Sequence, residues 1–145
     1  MKIKLLQIRE SSGEKISSPE SIAFLLKEES RADRECLWVL HLNTRNEVIE
    51  KELVSMGIVN ASVVSPREVF KKAILNSAVS IALAHNHPGG STIPSSDDFT
   101  IMKRLIKCGS LLEIKVIDFI ILSPSGNFWS GMENFKEAFE EKFSF

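Results

Sequence analysis

Apolar residues change their spacing several times along this chain, and each change marks a predicted element. Residues 36–42, Cys-Leu-Trp-Val-Leu-His-Leu, form a compact apolar run that suits a buried strand. Asn43-Thr44-Arg45-Asn46 is a turn, and residues 47–55 return as a second strand, so the two make a hairpin with Gly57 marking a bend. Residues 78–84, Ala-Val-Ser-Ile-Ala-Leu-Ala, read as a central strand running straight into His85. Residues 114–122 give a further apolar strand. Phe128-Trp129-Ser130 gives a short last one, after the turn Pro124-Ser125-Gly126-Asn127. Residues 2–8 alternate like a short first strand.

Helical spacing fills the intervals. Ser18-Pro19-Glu20 opens a helix with Ser18 as cap and Pro19 in the first turn, and Ile22, Ala23, Leu25 and Leu26 form its apolar face. Ser65-Pro66-Arg67-Glu68 opens another, with Ser65 and Glu68 spaced for a capping box. Its inner face is Val69, Phe70, Ala73, Ile74 and Ser77. A third begins after Ser95 and runs to about Lys107-Cys108-Gly109, Gly109 being a plausible stop. Phe135, Phe139 and Phe143 recur at helical spacing as a packing face, with a partner or dimer contact as the sharper alternative. Strands alternating with helices predict a three-layer α/β domain.

Composition narrows this picture. A chain of 145 residues, 43% hydrophobic and 26% charged, suits one domain with one core. A net charge of −1 supplies no overall attraction to nucleic acid or to an anionic membrane. Cys36 and Cys108 lie far apart, without C-x-x-C spacing, and read as buried thiols. No apolar run nears the roughly 18 residues of a membrane span, and the N-terminal apolar stretch is too short for a signal peptide, so the expected compartment is the cytoplasm.

The candidate chemistry lies at the end of the central strand. His85 and His87 at i and i+2 on an extended chain point to one side, with Cα atoms roughly 6.6 Å apart. Asp98, eleven residues after His87, opens the next helix. Two histidines and one carboxylate would hold a zinc ion and leave a fourth position for water, the pattern of a catalytic site. Spacing alone leaves two readings open, because surface turns carry H-x-H pairs and Ser95-x-x-Asp98 is also a helix cap with a carboxylate in the first turn. The adjacent residues do not match an HNH nuclease, whose motif is dispersed. The zinc deaminase signature H-x-E…P-C-x-x-C is absent.

His85-x-His87-Pro88, six residues, Ser95-x-x-Asp98 is similar to the JAMM motif of JAB/MPN-domain metalloproteases, and the chain more narrowly resembles the RadC family. Pro66-Arg67-Glu68-Val69, Asp33-Arg34-Glu35 and Leu42-Asn43-Thr44-Arg45-Asn46 agree with that family over about residues 17–130. Gly89 stands where Ser is usual, Thr92 where Pro is common, and Phe119 after Asp118 where His is frequent. Longer members carry an N-terminal helix-hairpin-helix region for which this sequence has no room, so DNA contacts of that region are not carried over.

The resemblance implies a JAB/MPN fold, related to that of cytidine deaminases, with a mixed central sheet flanked by helices, and a single domain over 1–145. It implies one zinc ion on His85, His87 and Asp98, and hydrolysis of peptide or isopeptide bonds in a peptide or protein substrate. It further implies an upstream glutamate as general base, and Ser95 as the hydroxyl that stabilises the oxyanion. The candidates for the base are Glu47, Glu50, Glu52 and Glu68. Glu52, placed as in the family's E-x-x-x-x-G before Gly57, is the expected one, against a solvated strand carboxylate. The competing functions are a DNA-repair-associated protein and a non-catalytic MPN module that binds partners. His41, the remaining histidine, reads as a core residue.

Overall fold

The computed structural model describes residues 13–141. The strand expected at 2–8 and Phe143 lie outside them. Among the described residues five strands, β1 (Cys36–Leu42), β2 (Val48–Met56), β3 (Ser80–Asn86), β4 (Lys115–Leu122) and β5 (Phe128–Ser130), form one mixed sheet in the order β2-β1-β3-β4-β5. All pairs are antiparallel except β3–β4, which is parallel. The helices are α1 (Pro19–Leu25), α2 (Pro66–Leu75), α3 (Ser96–Leu112), α4 (Gly131–Asn134) and α5 (Lys136–Glu140).

Side chains alternate across the strands, so the sheet has two apolar faces. Leu37, Val39, Ile81, Leu83, Phe119 and Ile121 face α2 and α3, where Phe70, Met102 and Leu105 meet them, together with Phe139 from α5. Leu40, Leu42, Ala82, Ala84, Ile120 and Leu122 face α1, through Ile22 and Leu26. Helices on both sides of a sheet make the three-layer α/β architecture expected. Each fully buried large side chain contributes about 1.5–3 kcal/mol over its exposed state. No helix among the described residues is long and apolar enough to cross a membrane.

Ser18 caps α1 as expected, accepting the Ser21 amide. Ser65 opens α2 with Pro66 in the first turn, but its side chain makes no capping bond, so the box with Glu68 does not form. Gly109 does not end α3, which runs on to Leu112 and closes at Glu113 in the left-handed region (φ 58°). Gly109 instead permits a close approach, since a Cβ there would meet Ile114 O at 2.4 Å. The central strand starts two residues later than expected and carries His85, paired with both β1 and β4, and Asn86, paired with Leu122 of β4. Both parallel strands end at the same edge, where His87 N donates to Leu122 O at 2.8 Å.

Candidate metal centre

Backbone position at the site comes from β3. Leu37 on β1 and Ile121 on β4 flank His85, which is buried. Immediately beyond, the chain turns: Gly90 N donates to His87 O at 3.0 Å, with Gly90 at φ +96°, a conformation that suits glycine. The loop then returns to Ser95, the cap of α3. Ser95 Oγ accepts the Asp98 amide at 3.0 Å, and Asp98 Oδ2 accepts the Ser95 amide at 2.8 Å. This reciprocal cap fixes Asp98 in the first turn, with its carboxylate aimed at the histidines.

The two rings lie perpendicular with centroids 4.8 Å apart. His85 Nδ1 donates to Asp98 Oδ1 at 2.8 Å, and His87 Nε2 lies 3.2 Å from Asp98 Oδ2. His87 Nδ1 donates to Ser91 O at 2.8 Å. His87 therefore presents Nε2 to a carboxylate while Nδ1 already carries a proton. The hydrogen bond with Asp98 raises the His87 pKa against the effect of burial. Burial pushes the Asp98 carboxyl up, but the hydrogen bonds from His85, His87 and the Ser95 amide outweigh it and hold the group well below the usual carboxylate range. Asp98 is thus an anion facing two imidazoles, a donor set suited to a cation that replaces the proton on His87.

Glu35, just before β1, completes the cluster. Its Oε1 lies 4.0 Å from His85 Nε2, and its Oε2 accepts the Val59 amide at 3.5 Å. Glu35, His85 and His87 each place one ligand atom within 4.8 Å of the others, which makes them a candidate metal-binding group. His85 Nε2 is buried and has no hydrogen-bond partner among the described residues. A buried imidazole nitrogen left unpaired costs free energy, whereas a metal ion uses that lone pair. The residues present fit the group that the H-x-H spacing suggests.

The structure brings His85, His87, Ser95 and Asp98 together, and leaves Glu52 elsewhere. Glu52 is on β2, with β1 between it and the histidine strand. It pairs with Val39, and its carboxylate accepts from His41 Nε2 at 3.0 Å. Buried His41 draws that carboxylate because its other nitrogen already accepts from Asn76 Nδ2 at 2.8 Å, which leaves Nε2–H to be satisfied. Glu50 joins the same network through Lys72 and Asn76, Glu47 Oε1 accepts from Asn43, and Glu68 is exposed on α2. The signal that could have found Glu35 is its place directly before the apolar run that pairs with the histidine strand.

A mixed three-layer domain with two histidines, an aspartate and a glutamate at one end of its central strands has the framework of a JAB-type protein with a candidate metal centre. The family model for the RadC-like JAB domain matches residues 16–136, and the chain belongs to that family. It is 49% identical over 111 residues to a UPF0758 protein of Finegoldia magna, covering 76% of this chain and 50% of that protein. It is 47% identical over 111 residues to a UPF0758 protein of Desulforamulus reducens, covering 76% and 49%. It is 44% identical over 108 residues to one of Bacillus cereus, covering 74% and 48%. The chain spans about half the length of these relatives.

Proposed function

We propose that this protein is a zinc-dependent hydrolase of peptide or isopeptide bonds. The observation that carries the reading is the buried His85 Nε2, without a hydrogen-bond partner among the described residues, in a cluster with Glu35 and His87 whose ligand atoms lie within 4.8 Å of one another. His85, His87 and Asp98 hold the ion, nitrogen and oxygen donors being those zinc accepts. When bound, zinc polarises the scissile carbonyl and lowers the pKa of a coordinated water toward about 7.

Glu35 takes a proton from the attacking water and passes it to the leaving amine. Its carboxylate is partly exposed, on the Val59 amide, and faces the histidine pair. Ser95 Oγ accepts the Asp98 amide, and its own hydroxyl proton remains to donate to the oxygen that gains charge at the carbonyl. Glu52, committed to His41, takes no part.

The test compares Glu35→Gln with Asp98→Asn. Glu35→Gln is expected to keep one zinc per chain while lowering cleavage of a peptide library, read by mass spectrometry, by about 10²–10⁴-fold. Asp98→Asn is expected to lose the metal. A purified chain that takes up no zinc, or a Glu35→Gln variant that cleaves as well as the wild type, overturns the reading.

A further inference from the structure

We propose that Asn86, the residue between the two histidines, is the positioning residue that places Glu35 at the metal centre. The inference rests on the reading of Glu35 as the base. Alternation along β3 turns Asn86 to the side opposite His85 and His87. There it is fully buried, at 0% exposure. Its side-chain hydrogen bonds all go to the segment that carries Glu35. Asn86 Oδ1 accepts the Cys36 amide at 2.7 Å, and Asn86 Nδ2 donates to Arg34 O at 2.9 Å and to Ala32 O at 3.5 Å.

The residues directly before and after Glu35 are therefore both tied to one side chain. That side chain belongs to the same tripeptide as the histidines. On the other side, Gly57 N donates to Glu35 O at 2.8 Å. Glu35 is held between Asn86 and the end of β2, so any shift of the histidine strand carries the carboxylate with it.

Only an amide meets this demand at this length, because the position needs one acceptor and two donors on a short stem. An aspartate would set an oxygen against two carbonyls. A leucine would leave the buried Cys36 amide unsatisfied. Neighbouring Asp33 and Arg34 are exposed and pair with each other, so they do not anchor the segment. Coupling through the backbone, not contact with the metal, is what the geometry assigns to Asn86.

The experiment uses the full chain loaded with Zn²⁺ or Co²⁺, and the variants Asn86→Ala, Asn86→Thr, Glu35→Gln and Asn86→Ala/Glu35→Gln. The Thr hydroxyl can accept but has one proton to donate where the amide has two, so that variant is a partial rescue and a milder test of folding. Three readings are taken: zinc affinity by chelator competition, the pH midpoint of the Co²⁺ visible spectrum, and hydrogen exchange at the Gly57 amide. Asn86→Ala is expected to change zinc affinity by well under the roughly 10–100-fold that loss of a ligand-orienting group costs. It should move the midpoint in the direction that Glu35→Gln moves it, with Asn86→Thr between, and add nothing in the Glu35→Gln background. Gly57, which Asn86 does not touch, should exchange at least roughly tenfold faster. An unmoved midpoint beside a shifted Glu35→Gln, or an additive double variant, overturns the positioning role. A chain that binds neither metal, or a Glu35→Gln variant with the wild-type midpoint, sinks the catalytic reading instead. The Gly57 exchange then decides alone whether Asn86 holds the segment, and an unchanged rate overturns it.

Discussion

Glu35 Oε1 stands 4.0 Å from His85 Nε2, the one imidazole nitrogen at the site without a hydrogen-bond partner among the described residues. The gap is too long for a hydrogen bond. Asp98 already occupies the other His85 nitrogen. A histidine so arranged is ready to give its lone pair to a cation, and the nearby carboxylate is placed to act beside that cation.

Zinc should accordingly stabilise the folded chain. An ion that binds only the folded state at about 100 times its Kd adds about 2.7 kcal/mol to the unfolding free energy. The expected outcome is a rise of this order in urea denaturation on adding Zn²⁺, reversed by a chelator and absent in His87→Ala. Equal stability with and without the ion would contradict the site.

Glu52 and Glu35 should separate by what they affect. Glu52→Ala leaves the Nε2–H of fully buried His41 without its acceptor, a loss of about 1–3 kcal/mol in stability. Zinc affinity should be unaltered, since β1 lies between Glu52 and the histidine strand. Glu35→Ala should instead leave the denaturation midpoint little changed, because its carboxylate is 41% exposed, and should keep one zinc per chain while cleavage is lost. Denaturation curves paired with cleavage assays on the zinc-loaded variants decide between them.

What could be read from the residues was whatever depends on near neighbours. The run from Cys36 to Leu42 and the Ser18 and Ser95 caps are local matters of pattern and hydrogen bonding, and they stand as expected. The His85, His87 and Asp98 cluster was legible because a strand end, a tight loop and a helix cap link it within 14 residues of chain. Glu35 was not, because its place before the apolar run fixes only its position ahead of β1, and the β1–β3 pairing that brings it to His85 spans 50 positions. Gly109 misled for a similar reason. A helix stop and a close crossing both call for glycine, and only the position of Ile114 distinguishes them.

The His41 network predicts a pH dependence on the acid side. Burial pushes the His41 pKa below its ordinary value of 6.5, although Glu52 and Glu50 pull it up and Lys72 pushes it further down. The unfolded chain then binds more protons than the folded one in the window below 6.5. Stability from this group is present above that value and is lost as pH falls toward the folded pKa. His41→Gln should flatten this part of the denaturation-midpoint profile, and the His41 ring should titrate below 6.5 by NMR. A ring that titrates above 6.5 would refute the account.

Gly109 offers a check on packing far from any ligand. It lies in α3, where alanine would normally be preferred by about 1 kcal/mol. A Cβ at this position would come within 2.4 Å of Ile114 O, 3.2 Å of Val116 Cγ2 and 3.3 Å of Phe70 Cζ. The nearest atom is backbone, in the residue just before β4, and cannot rotate away as a side chain could. Steric cost should therefore exceed the gain in helix propensity, and Gly109→Ala should lower stability by about 1–3 kcal/mol. The loss should appear in urea denaturation without a change in zinc affinity, since β4 meets α3 here at the sheet edge opposite the histidines. A stabilised Gly109→Ala protein would show that α3 and β4 do not pack this closely.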